Sequence, residues 1–190
     1  RRRNSLSIMS QWGNALAGRG KTTKILIGIN ALVFLAQLAS NDGVTALLAL
    51  SSEGVFFTPW TLITSGFAHS SWLHLALNMY SLWIFGEALE EYLGAKKFLW
   101  LYLLSILGGS FAYLLFSQGW VVGASGGVFG LMGAYFIVMR AMGFRSSQML
   151  VLIGLNVFIG FTNPSTAISA HIGGLVAGGA IAWYYANGKR

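Results

Sequence analysis

The sequence predicts an all-α polytopic membrane protein with six transmembrane helices, and three observations carry that prediction. Of 190 residues, 55% are apolar and only 9% are charged. An average soluble domain is about 25% charged, so this chain lacks the polar side chains to wet a globular surface. The uncharged stretches are long, covering 25–41, 54–86, 98–139 and 146–188. The 12 Lys and Arg stand between those stretches as punctuation. A net charge of +7 therefore builds no face for nucleic acid, because the charges are not interleaved with aromatics on one surface. The apolar content excludes intrinsic disorder. The absence of Cys excludes a disulfide framework, thiolate metal sites and cysteine catalysis.

Each span follows from length. A helix rising 1.5 Å per residue needs about 20 residues to cross a hydrocarbon core of about 30 Å. The first stretch gives one short span, 24–40, and the second gives 70–88 after a loop over about 41–68. The third and fourth stretches are each about two spans long and read as hairpins. Ser117-Gln118-Gly119 divides one into 97–116 and 125–143; Thr162-Asn163-Pro164-Ser165 divides the other into 147–162 and 167–186. Backbone groups in lipid must be satisfied internally, which selects helices over a barrel for these segments. The domain plan is a basic tail over 1–23, a six-helix membrane domain over 24–187 and a short C-terminus over 188–190. The basic start followed by 25–39 has the layout of a signal peptide, but Gln37-Leu38-Ala39 lacks the small-x-small cleavage pattern, so the segment is kept as the first span.

With six spans, every basic residue falls on one side: the tail, the 2–3 connection (Lys96, Lys97), the 4–5 connection (Arg140, Arg145) and the C-terminus (Lys189, Arg190). The other side holds only Asp42 and Glu53. This split predicts both termini in the cytoplasm, with spans two, four and six running from outside to inside. The tail itself is suited to anionic headgroups. An integral, multi-pass protein of a bacterial inner membrane is the expected setting.

Polar groups inside a bilayer are costly and mark functional sites by default. His74 and Asn78 in the second span, Ser125 at the start of the fourth and His171 in the sixth all lie near the outer ends of their helices. His74 and Asn78 are four apart and share a helical face. Ser125 sits in Gly123-Ala124-Ser125-Gly126-Gly127, where a helix start leaves its hydroxyl and N–H groups open to a reacting carbonyl. Small residues Gly126, Gly130 and Gly133 on one helix, and Gly174 and Gly178 beside His171 on another, would let the two helices approach closely. Such an approach brings His171 within reach of Ser125, as activation of a serine by a base requires. No carboxylate lies at that depth, so a Ser–His dyad rather than a triad is expected. His74 and Asn78 are then placed to donate hydrogen bonds to an oxyanion.

These motifs, in this order, make the chain resemble the rhomboid intramembrane serine proteases. The resemblance covers about 54–180 and includes His69-(x4)-His74-(x3)-Asn78, Gly86-(x3)-Glu90-(x3)-Gly94, Gly123-Ala124-Ser125-Gly126 and Ala170-His171-(x2)-Gly174-(x3)-Gly178. It implies a rhomboid-like six-helix bundle, Ser125 as nucleophile, His171 as its base, and an oxyanion hole from His74, Asn78 and the Ser125 N–H. It also implies a first loop dipping into the membrane, transmembrane proteins as substrates, lateral entry beside the fifth helix and no cofactor. Two residues depart from the family pattern. Thr61 follows Trp60 where Arg is usual, removing a polar anchor of the first loop, and Phe129 stands where a Tyr hydroxyl would otherwise orient His171.

The expected activity is therefore hydrolysis of a peptide bond in or near a transmembrane helix. The alternative is a catalytically inactive relative that binds transmembrane helices. A zinc site from His69, His74 and His171 is disfavoured, because His69 and His74 are five apart, about 140° around a helix, and no H-E-x-x-H occurs. A transporter is disfavoured by the lack of an internal repeat and the high position of the polar layer. Glu87, Glu90 and Glu91 read as a solvated cap region, with Glu90 anchoring the following turn. Asn156 reads as a packing hydrogen bond.

Overall fold

The computed structural model describes residues 20–144, 147–162 and 167–188, and for 156–162 the backbone alone. Residues 1–19, 145–146, 163–166 and 189–190, and the Asn156 side chain, lie outside the described residues. Six helices of 16 to 22 residues make up most of what is described: α1 (Lys21–Ala39), α2 (Trp72–Leu93), α3 (Ala95–Phe116), α4 (Ser125–Ala141), α5 (Ser147–Thr162) and α6 (Ile168–Asn187). Two of them, α1 and α3, are long and apolar enough to cross a membrane, and α4 is a shorter apolar helix.

Four helix ends coincide with the expected spans, and the others differ by up to five residues, for local reasons. α2 starts at Trp72 because the Ser71 hydroxyl accepts from the His74 N–H and caps the helix. It runs on to Leu93 because Gly94, at φ 81°, is the first residue able to turn the chain into α3. α1 begins at Lys21, one turn earlier than hydropathy alone suggests, because its first N–H groups find a carboxylate. The Thr22 and Thr23 N–H groups each donate to Glu90 at 2.9 Å, and the Thr23 hydroxyl donates at 2.8 Å. Glu90 is therefore buried and caps α1, rather than standing in a solvated region at the end of its own helix. Glu87 forms an ion pair with Lys24 at 3.5 Å.

α4 is the central helix. Gly126 through Ala134 are all buried, packed by α6, α3 and α2. The α4–α6 contact is the most extensive in the molecule, and α3–α6 comes next. A Cβ placed on Gly174 would land on the Gly126 carbonyl, one on Gly178 on the Gly130 carbonyl, and one on Gly133 on the Leu175 carbonyl. The backbones therefore touch along the stripe of small residues, which only glycine permits. On the adjoining face of α6, Gly173 and Ala177 meet Gly108 and Ala112 of α3 in the same manner. The main apolar core lies where α2, α3 and α4 meet, around Leu82, Phe85, Phe98, Leu101, Tyr102 and Leu131. The outward faces carry large exposed apolar side chains such as Leu32, Leu77, Phe111, Val151 and Val176, a surface matched to lipid rather than water.

Two short strands are an addition to the helical expectation. β1 (Leu50–Ser51) pairs antiparallel with β2 (Trp120–Val121), tying the first loop to the segment that enters α4. The loop also keeps polar anchors in spite of Thr61. The Trp60 indole N–H donates to the Leu47 carbonyl at 3.1 Å, the Thr64 hydroxyl to that of Leu48 at 3.3 Å, and the Ser110 hydroxyl of α3 to that of Leu62 at 2.7 Å. Thr61 itself is buried, and its hydroxyl closes a local turn onto the Thr58 carbonyl.

Candidate active site

The site is assembled at one end of the bundle, where α2, α4 and α6 begin and α1 and α3 end. Ser125 is the first residue of α4, with its side chain half-buried. Gly123, two residues earlier, has φ 138°, a conformation that a side chain would strain, and its N–H donates to the Ser65 carbonyl at 2.9 Å. The entry to α4 is thus fixed by the first loop on one side and by β2 on the other.

His171 stands on the first turn of α6. Its Nε2 lies 2.9 Å from Ser125 Oγ, a direct hydrogen bond between two helices that touch through glycine. The imidazole stacks on the Phe129 ring, with centroids 4.3 Å apart and planes 13° from parallel. Phe129 is one turn below Ser125, so the same helix supplies both the hydroxyl and the platform that orients its partner. Nδ1 of His171 is buried without a hydrogen-bond partner, and no third side chain completes a triad among the described residues. A hydroxyl–hydroxyl bond between Ser117 and Ser169, 2.7 Å long, fastens the start of α6 to the end of α3 beside this pair.

His74 occupies the first turn of α2 across from Gly123. A Cβ on Gly123 would come within 2.7 Å of His74 Cε1 and 2.8 Å of Nε2, and 3.7 Å from Ser125 Oγ. The imidazole edge and the serine hydroxyl therefore flank one small space. Asn78 lies one turn further along α2, buried, with its amide nitrogen donating to the His74 carbonyl at 2.9 Å. One N–H of that amide is thereby committed to its own helix. His69 precedes the helix and is buried, its ring edge-on to that of His74 at 5.1 Å. Among the described residues, no three His, Asp or Glu side chains gather as a metal would require. A cleft of about 20 Å³, lined by Ser65, Gly109, Ser110, Gly123 and Ser125 among others, opens beside the Ser125 hydroxyl.

Sequence reasoning missed three contributors: the Ser65 carbonyl, the Gln37 side chain and Ser70. Gln37 of α1 bonds both backbone groups of His69, accepting from its N–H at 2.9 Å and donating to its carbonyl at 3.1 Å. Ser70 contacts His74, and the spacing of four from His74 is the signal that was available for it.

With a serine hydrogen-bonded to a histidine across a glycine-lined helix pair, similarity to known proteins supplies the family. A family model described as the rhomboid domain matches residues 57–188, and the chain belongs to the rhomboid family. It is 34% identical to the rhomboid protease GluP of Bacillus subtilis over 173 residues, which is 85% of this chain and 34% of that protein. It is 30% identical to the rhomboid protease GlpG of Salmonella newport over 175 residues, 86% of this chain and 63% of that protein. It is 37% identical over 127 residues to RHOMBOID-like protein 6, mitochondrial, of Arabidopsis thaliana, 63% of this chain and 41% of the relative. The chain thus spans between a third and two thirds of the length of these relatives.

Proposed function

We propose that this protein is an intramembrane serine endopeptidase that cleaves a peptide bond in, or just outside, a transmembrane helix near the outer membrane face. The observation that carries the proposal is the 2.9 Å bond between Ser125 Oγ and His171 Nε2, with the imidazole held on Phe129. Ser125 Oγ attacks the scissile carbonyl while His171 Nε2 takes its proton. The same proton passes to the leaving amine as the C–N bond breaks, leaving an acyl-enzyme that water hydrolyses with His171 again as base. The oxyanion is received by the Ser125 N–H, free at the helix start, and by His74 and Asn78; a donor of this kind is worth on the order of 3 kcal/mol. The cleft beside Ser125, about 20 Å³, is large enough for a single water.

In this reading all six helices span the bilayer and both termini face the cytoplasm, with the cell membrane of a bacterium as the setting. The substrates are membrane proteins, and no cofactor takes part. On the far side of the Trp120–Val122 segment lies a second, apolar cleft of about 310 Å³, lined by Thr45, Ala46 and Ala49 among others. It is suited to an apolar side chain of a substrate segment running past Ser125.

The test is labelling of the detergent-solubilised protein by a fluorophosphonate probe, comparing wild type with Ser125→Ala and His171→Ala. Labelling in the wild type alone is the expected result. Folded protein that labels in no variant would overturn the protease reading in favour of an inactive member that binds transmembrane helices.

A further inference from the structure

His74 is placed against the reacting atoms through Nε2, while its other ring nitrogen is spoken for. Ser70 Oγ lies 3.0 Å from His74 Nδ1, and the Ser70 backbone N–H also approaches Nδ1, at 3.5 Å. A backbone N–H can only donate, so the Nδ1 that faces it presents a lone pair. A hydroxyl can rotate to donate as well, and with Nδ1 as acceptor it does so. An imidazole with an unprotonated Nδ1 carries its proton on Nε2. That is the edge lying against Gly123, in the space it shares with Ser125 Oγ.

Among the described residues, Ser70 makes the hydrogen bonds to this ring that set the choice. His69 packs edge-on to it but leaves both of its own nitrogens without a hydrogen-bond partner. The His74 N–H is taken up by the Ser71 hydroxyl, which fixes the helix end and not the ring. An imidazole released from Ser70 would be free to carry its proton on Nδ1 and turn a lone pair toward the oxyanion, converting a donor into a repulsive acceptor.

We propose that Ser70 is a positioning residue: its hydroxyl donates to His74 Nδ1 and holds the imidazole as the Nε2–H tautomer, so that His74 always presents a donor to the oxyanion formed at Ser125. The proposal rests on the protease reading above for its consequence, though the tautomer itself does not. Ser70 is exposed at the mouth of the site, so its replacement leaves the packing intact.

The experiment uses the full chain in detergent micelles with two readouts. The first is the second-order rate of fluorophosphonate labelling at Ser125. Ser70→Ala is expected to slow it by about five- to tenfold, the effect of one hydrogen bond on a transition state, with no change in melting temperature. Ser70→Thr, which keeps the hydroxyl, is expected to stay within about twofold of wild type, and Ser70→Ala should add nothing in a His74→Ala background. The second readout is nitrogen-15 NMR of protein labelled at histidine, with the His74 signals assigned by their loss in His74→Gln. It is expected to show the Nε2–H tautomer in the wild type and a mixture in Ser70→Ala. Labelling of Ser70→Ala at the wild-type rate, equal slowing in the His74→Ala background, or an unchanged tautomer would each overturn the assignment. A wild type that does not label would count against the protease reading instead, and the NMR comparison would still decide the role of Ser70.

Discussion

Two helix pairs in this molecule are joined by opposite means. α4 and α6 meet backbone to backbone, with Gly174 seated on the Gly126 carbonyl and Gly178 on that of Gly130. α1 and α2 are joined by polar clamps at their two ends: Glu90 receives the start of α1, and Gln37 holds the backbone of His69 just before α2. Between those clamps α1 buries a narrow stripe, Leu26, Asn30 and Phe34, and turns Ile25, Leu32 and Leu35 outward. The difference follows the demands on each pair. The proposed Ser125–His171 dyad needs its two side chains fixed to a fraction of an ångström, and contact between rigid backbones supplies that without long side chains to order. α1 need only stay attached, and its two bonded ends with the buried stripe between them suffice.

The strongest way to break this contrast is to add carbon to the glycine seam. Gly174→Val has no space, because its Cβ falls on the Gly126 carbonyl, so α4 and α6 must separate. The expected cost is about 3 kcal/mol or more, beyond the ordinary range for overpacking because the obstacle is backbone. Loss of fluorophosphonate labelling together with a lower melting temperature in detergent is the expected result. Gly28→Ala in α1 is the matched control. Nothing lies within 4 Å of a Cβ there, and alanine is the better helix former, so its melting temperature should hold or rise slightly. Equal damage from both substitutions would remove the distinction between the pairs.

The clamps should give smaller, separable losses. Glu90→Gln keeps shape but removes the charge facing the N–H groups of Thr22 and Thr23, at an expected cost of about 1–3 kcal/mol. Its site lies at the opposite end of the bundle, so the labelling rate of the protein that remains folded should change by less than about twofold. Gln37→Leu strands both backbone groups of His69 and should cost a similar amount. There the labelling rate should fall too, because His69 packs on His74. Thermal unfolding and labelling measured on the same two variants separate attachment from alignment.

The contact between Ser125 and His171 was legible in the sequence because its determinants repeat at helical spacing. Glycines four apart on two helices, one beside a serine and the other beside a histidine, define facing stripes before any coordinates exist. The same reasoning misjudged Glu90, since its partners Thr22 and Thr23 are nearly seventy positions away and carry no pattern of their own. It also missed the β1–β2 ladder, because two residues per strand give no alternation to detect. The loss of an Arg after Trp60 suggested a loosened first loop. In the structure the anchors are backbone carbonyls of Leu47, Leu48 and Leu62, met by Trp60 and Thr64 within the loop and by Ser110 of α3, and no local motif announces a carbonyl. What periodicity encodes was readable, and what depends on pairing across distant segments was not.

The mildest perturbation concerns Phe129, where the contrast between rigid backbone and adjustable side chain meets inside the dyad itself. The α4–α6 seam sets the distance between the two helices, but the rotation of the His171 ring is set by stacking on Phe129 at 4.3 Å. Nδ1 of His171 has no hydrogen-bond partner, so stacking is the restraint left on the ring besides the bond to Ser125. Aromatic pairs of this kind are worth about 0.5–1.5 kcal/mol beyond their area. Phe129→Leu should then slow labelling by about two- to tenfold, with a small change in melting temperature from the altered core. Phe129→Tyr keeps the platform and should label at close to the wild-type rate. If Phe129→Leu labels as fast as wild type, the seam alone orients the base; if Phe129→Tyr labels markedly faster, stacking by phenylalanine leaves the ring less well restrained than a hydroxyl would.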